Sequence, residues 1–192
     1  MSQLVLASSS RYRRQLLETL THDFQCASPD IDESPKSQES PKSLALRLAE
    51  QKALALKDDY PNHLIIGSDQ TAAVDGVFLN KPGNAERAVE QLLAMQGKTI
   101  TFYTGLALYD STHQTMQSDV VSFDVTLRAL NREQIERYVE KEAPFDCAGS
   151  FKVEGLGIVL FERLEGPDPN ALIGLPMIRL VDFLNQANHP LL

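Results

Sequence analysis

The chain has 192 residues, enough for one sizeable core, and its net charge of −8 argues against a nucleic-acid polymer as bulk partner while leaving room for a local basic pocket that takes a small anion. No apolar run approaches the ~18–20 residues of a membrane span, Cys26 and Cys147 have no zinc or C-x-x-C spacing, and the four histidines are scattered, which argues against a histidine metal site. The apolar run at 4–7 is too short for a signal peptide and its positive charges follow it instead of preceding it, so a cytoplasmic location is expected.

Residues 4–7 read as a short buried strand, Ser8 to Ser10 as a polar loop, and the following stretch as a helix with Leu16, Leu17 and Leu20 on one side. Free backbone N–H groups and the positive end of a helix dipole at such a junction favour an anion. Arg11, Arg13 and Arg14 fall in the first turn, where that dipole disfavours cations. A phosphate chain among them resolves the conflict; a serine cap followed by solvated arginines is the alternative.

A second strand is expected at 24–27. Residues 28–43 form a loop rich in Ser, Pro and charge, with ESPKS at 33–37 and again at 39–43. Within it, Asp30, Asp32 and Glu33 are either solvated or provide an oxygen ligand for a divalent cation. A helix is predicted from Pro41, capped by Ser40, to Lys57, with Leu44, Ala45, Leu48, Ala49, Ala55 and Leu56 on one apolar arc. Lys52 falls near the middle of that arc, so it must snorkel out or meet an anion.

Residues 64–66 read as a buried strand ending at Gly67 and Ser68. Asp69 then sits at the strand's carboxyl end, where open α/β sheets bind ligands, although a turn aspartate is equally compatible. Asp75-Gly76 signals a hairpin between 70–74 and 77–80; counting outward pairs Gln70 with Lys81 and returns Lys81 beside Asp69. Asn84 caps a helix to Gln96, closed by Gly97. Strands at 99–109 and 120–127 make a hairpin across a polar turn at 110–117. Asn131 and Gln134 form a capping box for a helix to Glu142. A small-residue loop at 148–155 carries Lys152 and Glu154. A strand at 157–163, a loop at 166–174, a last helix opened by Pro176 and a frayed tail after Ala187 complete the chain. Strands alternate with helices first and antiparallel hairpins follow, which indicates a mixed α/β sheet flanked by helices, with the early βα elements along one side of a cleft. No linker is long enough to separate independent domains.

The ordered set Leu6-Ala-Ser-x-Ser-x-x-Arg-Arg14, Asp32-Glu33, Lys52, Gly67-Ser-Asp-Gln70, Lys81-Pro82, Tyr103-Thr-Gly105, Ala148-Gly149, Gly155-x-Gly157 and Gly174-Leu-Pro176 resembles the Maf family of nucleotide pyrophosphatases over nearly the whole chain. The resemblance implies a single Maf-like domain over 1–192, related to the inosine-triphosphate pyrophosphatase architecture, with two lobes around a deep nucleotide cleft. It implies hydrolysis of a nucleoside triphosphate to the monophosphate and pyrophosphate with Mg²⁺ or Mn²⁺, and a homodimer. The segments at 11–14, 67–70 and 151–155 look like the N7-methyl-GTP branch, whose specificity positions match Tyr12, Gln70 and Glu154. Tyr12 stands where another bulky aromatic can occur in that branch.

These residue types suit a cationic base. An aromatic face attracts N7-methylguanine, a carboxylate balances its charge or accepts from N1–H and N2–H, and Gln70 can donate and accept at the base edge. The resemblance and the residue chemistry together assign phosphate binding to Ser8, Arg13 and Arg14. Lys52 and Lys81 neutralise developing charge. Glu33 and Asp69 hold the metal, and Asp69 is the proton acceptor that activates water. Two alternatives are a dTTP/UTP pyrophosphatase, discriminated by Tyr12, Gln70 and Glu154, and a nucleotide-binding regulator of cell division, which needs the phosphate cradle but not the carboxylates.

Overall fold

Strand β1 (Gln3–Ala7) is apolar at four successive positions because both of its faces are covered. In the computed structural model, which describes residues 3–192, β1 runs parallel to β2 (Phe24–Ala27) on one side and to β3 (His63–Val74) on the other. The remaining strands are β4 (Val77–Phe78), β5 (Thr99–Asp110), β6 (Thr115–Leu127) and β7 (Phe161–Glu165). The hydrogen-bonded order is β2-β1-β3-β5-β6-β7, with β4 on β3. Since β3–β4 and β6–β7 are antiparallel, the sheet is mixed, as the sequence predicts.

The chain divides into two compact units. The first takes the chain up to Gln70 with Tyr103–Val121 and Asp168–Leu192; the second takes Thr71–Phe102 and Ser122–Pro167. In the first unit the two-residue period of the strands sorts the core into two clusters. Leu4, Leu6, Leu64, Ile66, Leu106 and Leu108 pack with Leu17 of α1 (Arg11–Glu18) and with Leu180, Phe183 and Leu184 of α6 (Met177–Gln186). Val5, Ala7, Ile65, Ala107 and Tyr109 pack on the other face with Ala49 and Ala53 of α2 (Pro41–Ala55). Helix α2 lies very close to the strands because Gly67 and Gly105 have no side chain: a Cβ on Gly67 would sit 2.1 Å from the Ala49 carbonyl oxygen, and one on Gly105 equally near that of Ala45.

The second unit holds α3 (Ala85–Ala94) and α4 (Arg132–Glu142), and the edge-to-face rings of Phe102, Phe151 and Phe161. The capping box at Asn131 and Gln134 is formed as its spacing predicts. Lys152 Nζ donates to the carbonyls of Glu142 (3.0 Å) and Ala143 (3.5 Å), so this lysine closes the C-terminus of α4.

Several expectations change. β3 is one strand of twelve residues, not two pieces broken at Gly67. It is β1 that stops, opposite Gly67, so Asp69 lies past the end of its parallel neighbour and not at the end of its own strand. The Asp75-Gly76 turn forms, with left-handed φ of 51° and 77°, and pairs Val74 with Val77 and Ala73 with Phe78 as counted. β4 is only two residues long, so the ladder closes before reaching Lys81. The predicted strand at 157–163 begins as a 3₁₀ turn (Leu156–Leu160), since the N–H groups of Gly155 and Gly157 both bond to Lys152 O and coil the segment. The predicted loop at 166–174 contains a short helix, α5 (Pro169–Ile173), capped by Asp168 with proline in its first turn. No helix among the described residues is long and apolar enough to cross a membrane.

Candidate active site

The centre of the site is the side chain that breaks the apolar pattern of α2. Lys52 is 7 % exposed, and its ammonium meets Asp69 Oδ1 at 2.6 Å and Glu33 Oε1 at 2.7 Å. The lysine does not snorkel; it is held between two carboxylates. Helix α2 delivers it because Gly67 lets the helix backbone settle on β3, two residues before Asp69. Asp69 is 9 % exposed, whereas the Glu33 side chain is 58 % exposed. The pair therefore has a sheltered member and a solvent-facing one.

Glu33 lies on the 28–40 loop, and that loop is anchored. Arg47 of α2 forks onto Glu39, Nε to Oε1 at 2.7 Å and Nη2 to Oε2 at 2.8 Å, and Nη2 also donates to the Ser34 carbonyl at 3.0 Å. The bidentate guanidinium holds the Glu39 carboxyl down to a pKa of about 2. Hydrogen bonds from the Ser34 side chain and from its N–H, the latter at 2.9 Å, lower the pKa of Asp32 and make it a turn residue of the same loop.

Arg13 turns inward from α1. Its Nε donates to the Gly174 carbonyl at 2.8 Å and its Nη1 lies 3.5 Å from Ser8 Oγ. Ser8 Oγ also accepts from the Ser10 N–H. Burial pulls the Arg13 pKa down while the fields of Asp69 and Glu33 oppose that shift. Among the described residues no carboxylate lies within 4.0 Å of this guanidinium, so a half-buried, desolvated cation is left with one carbonyl and a long hydroxyl contact. That arrangement favours an anion brought by a ligand. The start of α1 adds to this, since its first turn has no acidic residue and Ser10 caps it.

A family model for Maf-like proteins matches residues 3–187. The chain belongs to the Maf family. A Vibrio parahaemolyticus protein named 7-methyl-GTP pyrophosphatase is 54 % identical over 190 residues, covering 99 % of this chain and 98 % of that one. The Ham1 protein of Staphylococcus aureus matches at a TM-score of 0.43 with 13 % identity, over 66 % of this chain and 72 % of that chain.

In this Maf protein the first unit gathers Ser8, Arg13, Glu33, Lys52, Asp69 and Gln70, while Lys81 and Glu154 belong to the second unit, where both are exposed. Arg14 parts company with Arg13: it is exposed and paired with Glu18 at 2.9 Å, one helical turn on. Tyr12 is half-buried and already draws a cation, with the Arg11 guanidinium 4.7 Å from its ring centroid and a 2.7 Å bond to its hydroxyl. Gln70 uses its amide nitrogen on Thr104 Oγ1 and on the carbonyls of Ala171 and Leu172. Ser68, Thr104 and Gly174 lie in the motifs singled out in the sequence but were given no role there. Ser68 is fully buried, with its Oγ at 2.8 Å from Gly105 O and 3.0 Å from the same Gly174 carbonyl that holds Arg13. Their signal was present: Ser68 and Thr104 are hydroxyls on strand faces otherwise filled by Leu64, Ile66, Leu106 and Leu108.

Glu33 and Asp69 could also serve a metal. Each has one carboxylate oxygen not bonded to Lys52. No cluster of three or more His, Cys, Asp or Glu side chains suited to a metal occurs among the described residues. Such a donor set suits Mg²⁺ or Mn²⁺, which take one or two carboxylates and complete their shell with phosphate oxygens and water.

Proposed function

We propose that this protein hydrolyses N7-methyl-GTP to N7-methyl-GMP and pyrophosphate, removing a modified nucleotide. The observation that carries the chemistry is the Lys52 ammonium between Asp69 and Glu33, in the same unit as the Arg13 guanidinium, which has no carboxylate partner among the described residues. The 54 % identity to the Vibrio protein over nearly the full length of both chains supports the choice of nucleotide.

In this reading Arg13, with Ser8 and the first N–H groups of α1, binds the phosphate chain, and Arg14 adds only a screened surface charge. Asp69 is oriented by Lys52 through Oδ1, which leaves Oδ2 to take a proton. Water attacks the α-phosphorus, its proton passes to Asp69, the bond from that phosphorus to the bridging oxygen breaks, and pyrophosphate departs. Lys52 is assigned to balance the negative charge gathering on the α-phosphoryl oxygens. A divalent cation held by Glu33 and Asp69 would supply further charge neutralisation on the phosphates. Lys81 is assigned to the departing pyrophosphate, and Tyr12, Gln70 and Glu154 to the choice of base. A homodimer and a cytoplasmic location go with this reading.

The test is pyrophosphate release from N7-methyl-GTP, GTP, dTTP, UTP and CTP, each with Mg²⁺ or Mn²⁺, by the wild type and Glu154→Gln. The expected result is a clear preference for N7-methyl-GTP that Glu154→Gln erodes. A preference for dTTP or UTP would remove the base assignment while leaving the hydrolytic one. Binding without turnover of any nucleotide would refute both.

A further inference from the structure

We propose that Thr104 is a positioning residue that fixes which end of the Gln70 amide faces the ligand, so that Gln70 recognises the base only as a hydrogen-bond acceptor. The argument rests on the reading of Gln70 as a base contact and adds a direction to it.

Helix α5 is a five-residue helix whose last carbonyls have no partner inside the helix. Two of them, Ala171 O and Leu172 O, belong to buried residues and can only accept. Gln70 Nε2 lies 2.9 Å from the first and 3.1 Å from the second. An amide oxygen in that place would face both carbonyls, so they favour the nitrogen there. Thr104 makes the assignment one-way. Its Oγ1 donates to Ala171 O at 2.8 Å, which spends its only hydrogen and leaves a lone pair that accepts from Gln70 Nε2 at 3.0 Å. Thr104 is fully buried, so water cannot offer an alternative pattern. The two amide hydrogens are committed to three protein oxygens. The amide oxygen, by contrast, receives no hydrogen bond from any described residue and is not enclosed. Whatever meets Gln70 there must therefore donate.

This narrows the ligand. A guanine edge offers adjacent donors, N1–H and the exocyclic amine, to an acceptor. Uracil and thymine offer a single N–H flanked by two carbonyl oxygens, which an acceptor-only glutamine repels. The expectation that Gln70 both donates and accepts is thus replaced by an acceptor whose polarity is set from the neighbouring strand β5.

The experiment measures kcat/KM for N7-methyl-GTP and for UTP in wild type, Thr104→Val, Thr104→Ser, Gln70→Ala and Gln70→Glu, with thermal melts of each. Thr104→Val should cut the preference for N7-methyl-GTP by about 5–10-fold, the worth of one hydrogen bond, and Thr104→Ser should restore it to within about twofold. Gln70→Ala should abolish that part of the preference. If Gln70→Ala leaves the preference intact, the base-contact reading fails and this proposal with it. If Gln70→Ala lowers the preference and Thr104→Val does not, or Thr104→Val slows both nucleotides equally, Thr104 is structural and the proposal alone is overturned. Gln70→Glu keeps Thr104 and covers the case in which the valine variant does not fold. A carboxylate in that place sets an acceptor against Ala171 O and Leu172 O and is driven out of it, so the preference should fall about as far as in Gln70→Ala, and a wild-type preference in Gln70→Glu overturns the proposal.

Discussion

Gly67→Ala tests whether the position of α2 is what makes the site. The added Cβ would lie 2.1 Å from the Ala49 carbonyl oxygen and 2.9 Å from the Ala53 nitrogen, both backbone atoms that no side-chain rotation can clear. Reaching ordinary contact at 3.4 Å requires helix and strand to separate by about 1.3 Å. Lys52 lies between Ala49 and Ala53 on that helix, and its bond to Asp69 is 2.6 Å. Moved with the helix, the ammonium leaves hydrogen-bond range of Asp69. Overpacking of this kind costs about 1–3 kcal/mol, which lowers the melting temperature by roughly 2–4 °C per kcal/mol in a chain of this size. Displacement of a charge by about 1 Å lowers turnover about 100-fold. Gly105→Ala is the comparison, because it meets the same helix at Ala45, seven residues before Lys52. It should cost similar stability and less activity, since a helix tilted at its first turns carries Lys52 less far. Pyrophosphate release and differential scanning fluorimetry read both effects. Wild-type kcat/KM in a folded Gly67→Ala protein, or equal losses in the two variants, would show that the helix–strand approach does not set the Lys52–Asp69 contact.

Three further expectations follow from the same geometry. Asp69→Asn keeps the shape and leaves Lys52 its bond to Glu33, so the fold should survive while turnover drops about 1,000-fold; retention of a tenth of the activity in the pyrophosphate assay would dismiss Asp69 as proton acceptor. Arg47→Lys loses the fork on Glu39 and the bond to Ser34 O, which frees the loop that carries Glu33; kcat/KM should fall about 5–10-fold with a small fall in melting temperature, and a wild-type kcat/KM would mean the anchor is dispensable. Glu39 has its pKa held at about 2 against an ordinary 4.5, so the native state prefers its ionised form: the stabilisation is complete above pH 4.5 and is lost as pH falls toward 2. Glu39→Gln should therefore be less stable at pH 7 and show a shallower decline in acid, read by circular dichroism between pH 7 and 2; parallel acid profiles for variant and wild type would contradict the sign of this linkage.

What the sequence revealed depended on whether a rule acts along the chain or across it. The parallel start of the sheet, the cap at Ser40, the capping box at Asn131 and the Asp75-Gly76 turn are local, and each forms where its residue pattern puts it. Helix α5 was equally local, since Asp168-Pro169 is a cap followed by a first-turn proline, but five residues are too few to show an apolar period. The continuity of β3 was not legible. Gly67 reads as a strand end when only its neighbours in sequence are considered, and it is a glycine for a reason located in α2.

The same distinction explains the site. Lys52 could be singled out because one charge on an apolar arc is a conflict visible in sequence, and the structure resolves it with two carboxylates. Arg13 and Arg14 could not be told apart, being adjacent cations in one helical turn. Which of them turns inward is decided by a carbonyl 161 residues away, at Gly174, and which turns outward by Glu18. Gly174 has φ of +129°, and a Cβ added there would sit 3.5 Å from Arg13 Nε, so that carbonyl depends on a backbone conformation other residues rarely adopt. Ser68 bonds the same oxygen from the strand that carries Asp69. Arg13, Asp69 and Lys52 are thereby referred to one short stretch of β3. A change at Ser68, whose hydroxyl bonds only the Gly105 and Gly174 carbonyls, should for this reason change the distance between Arg13 and Asp69.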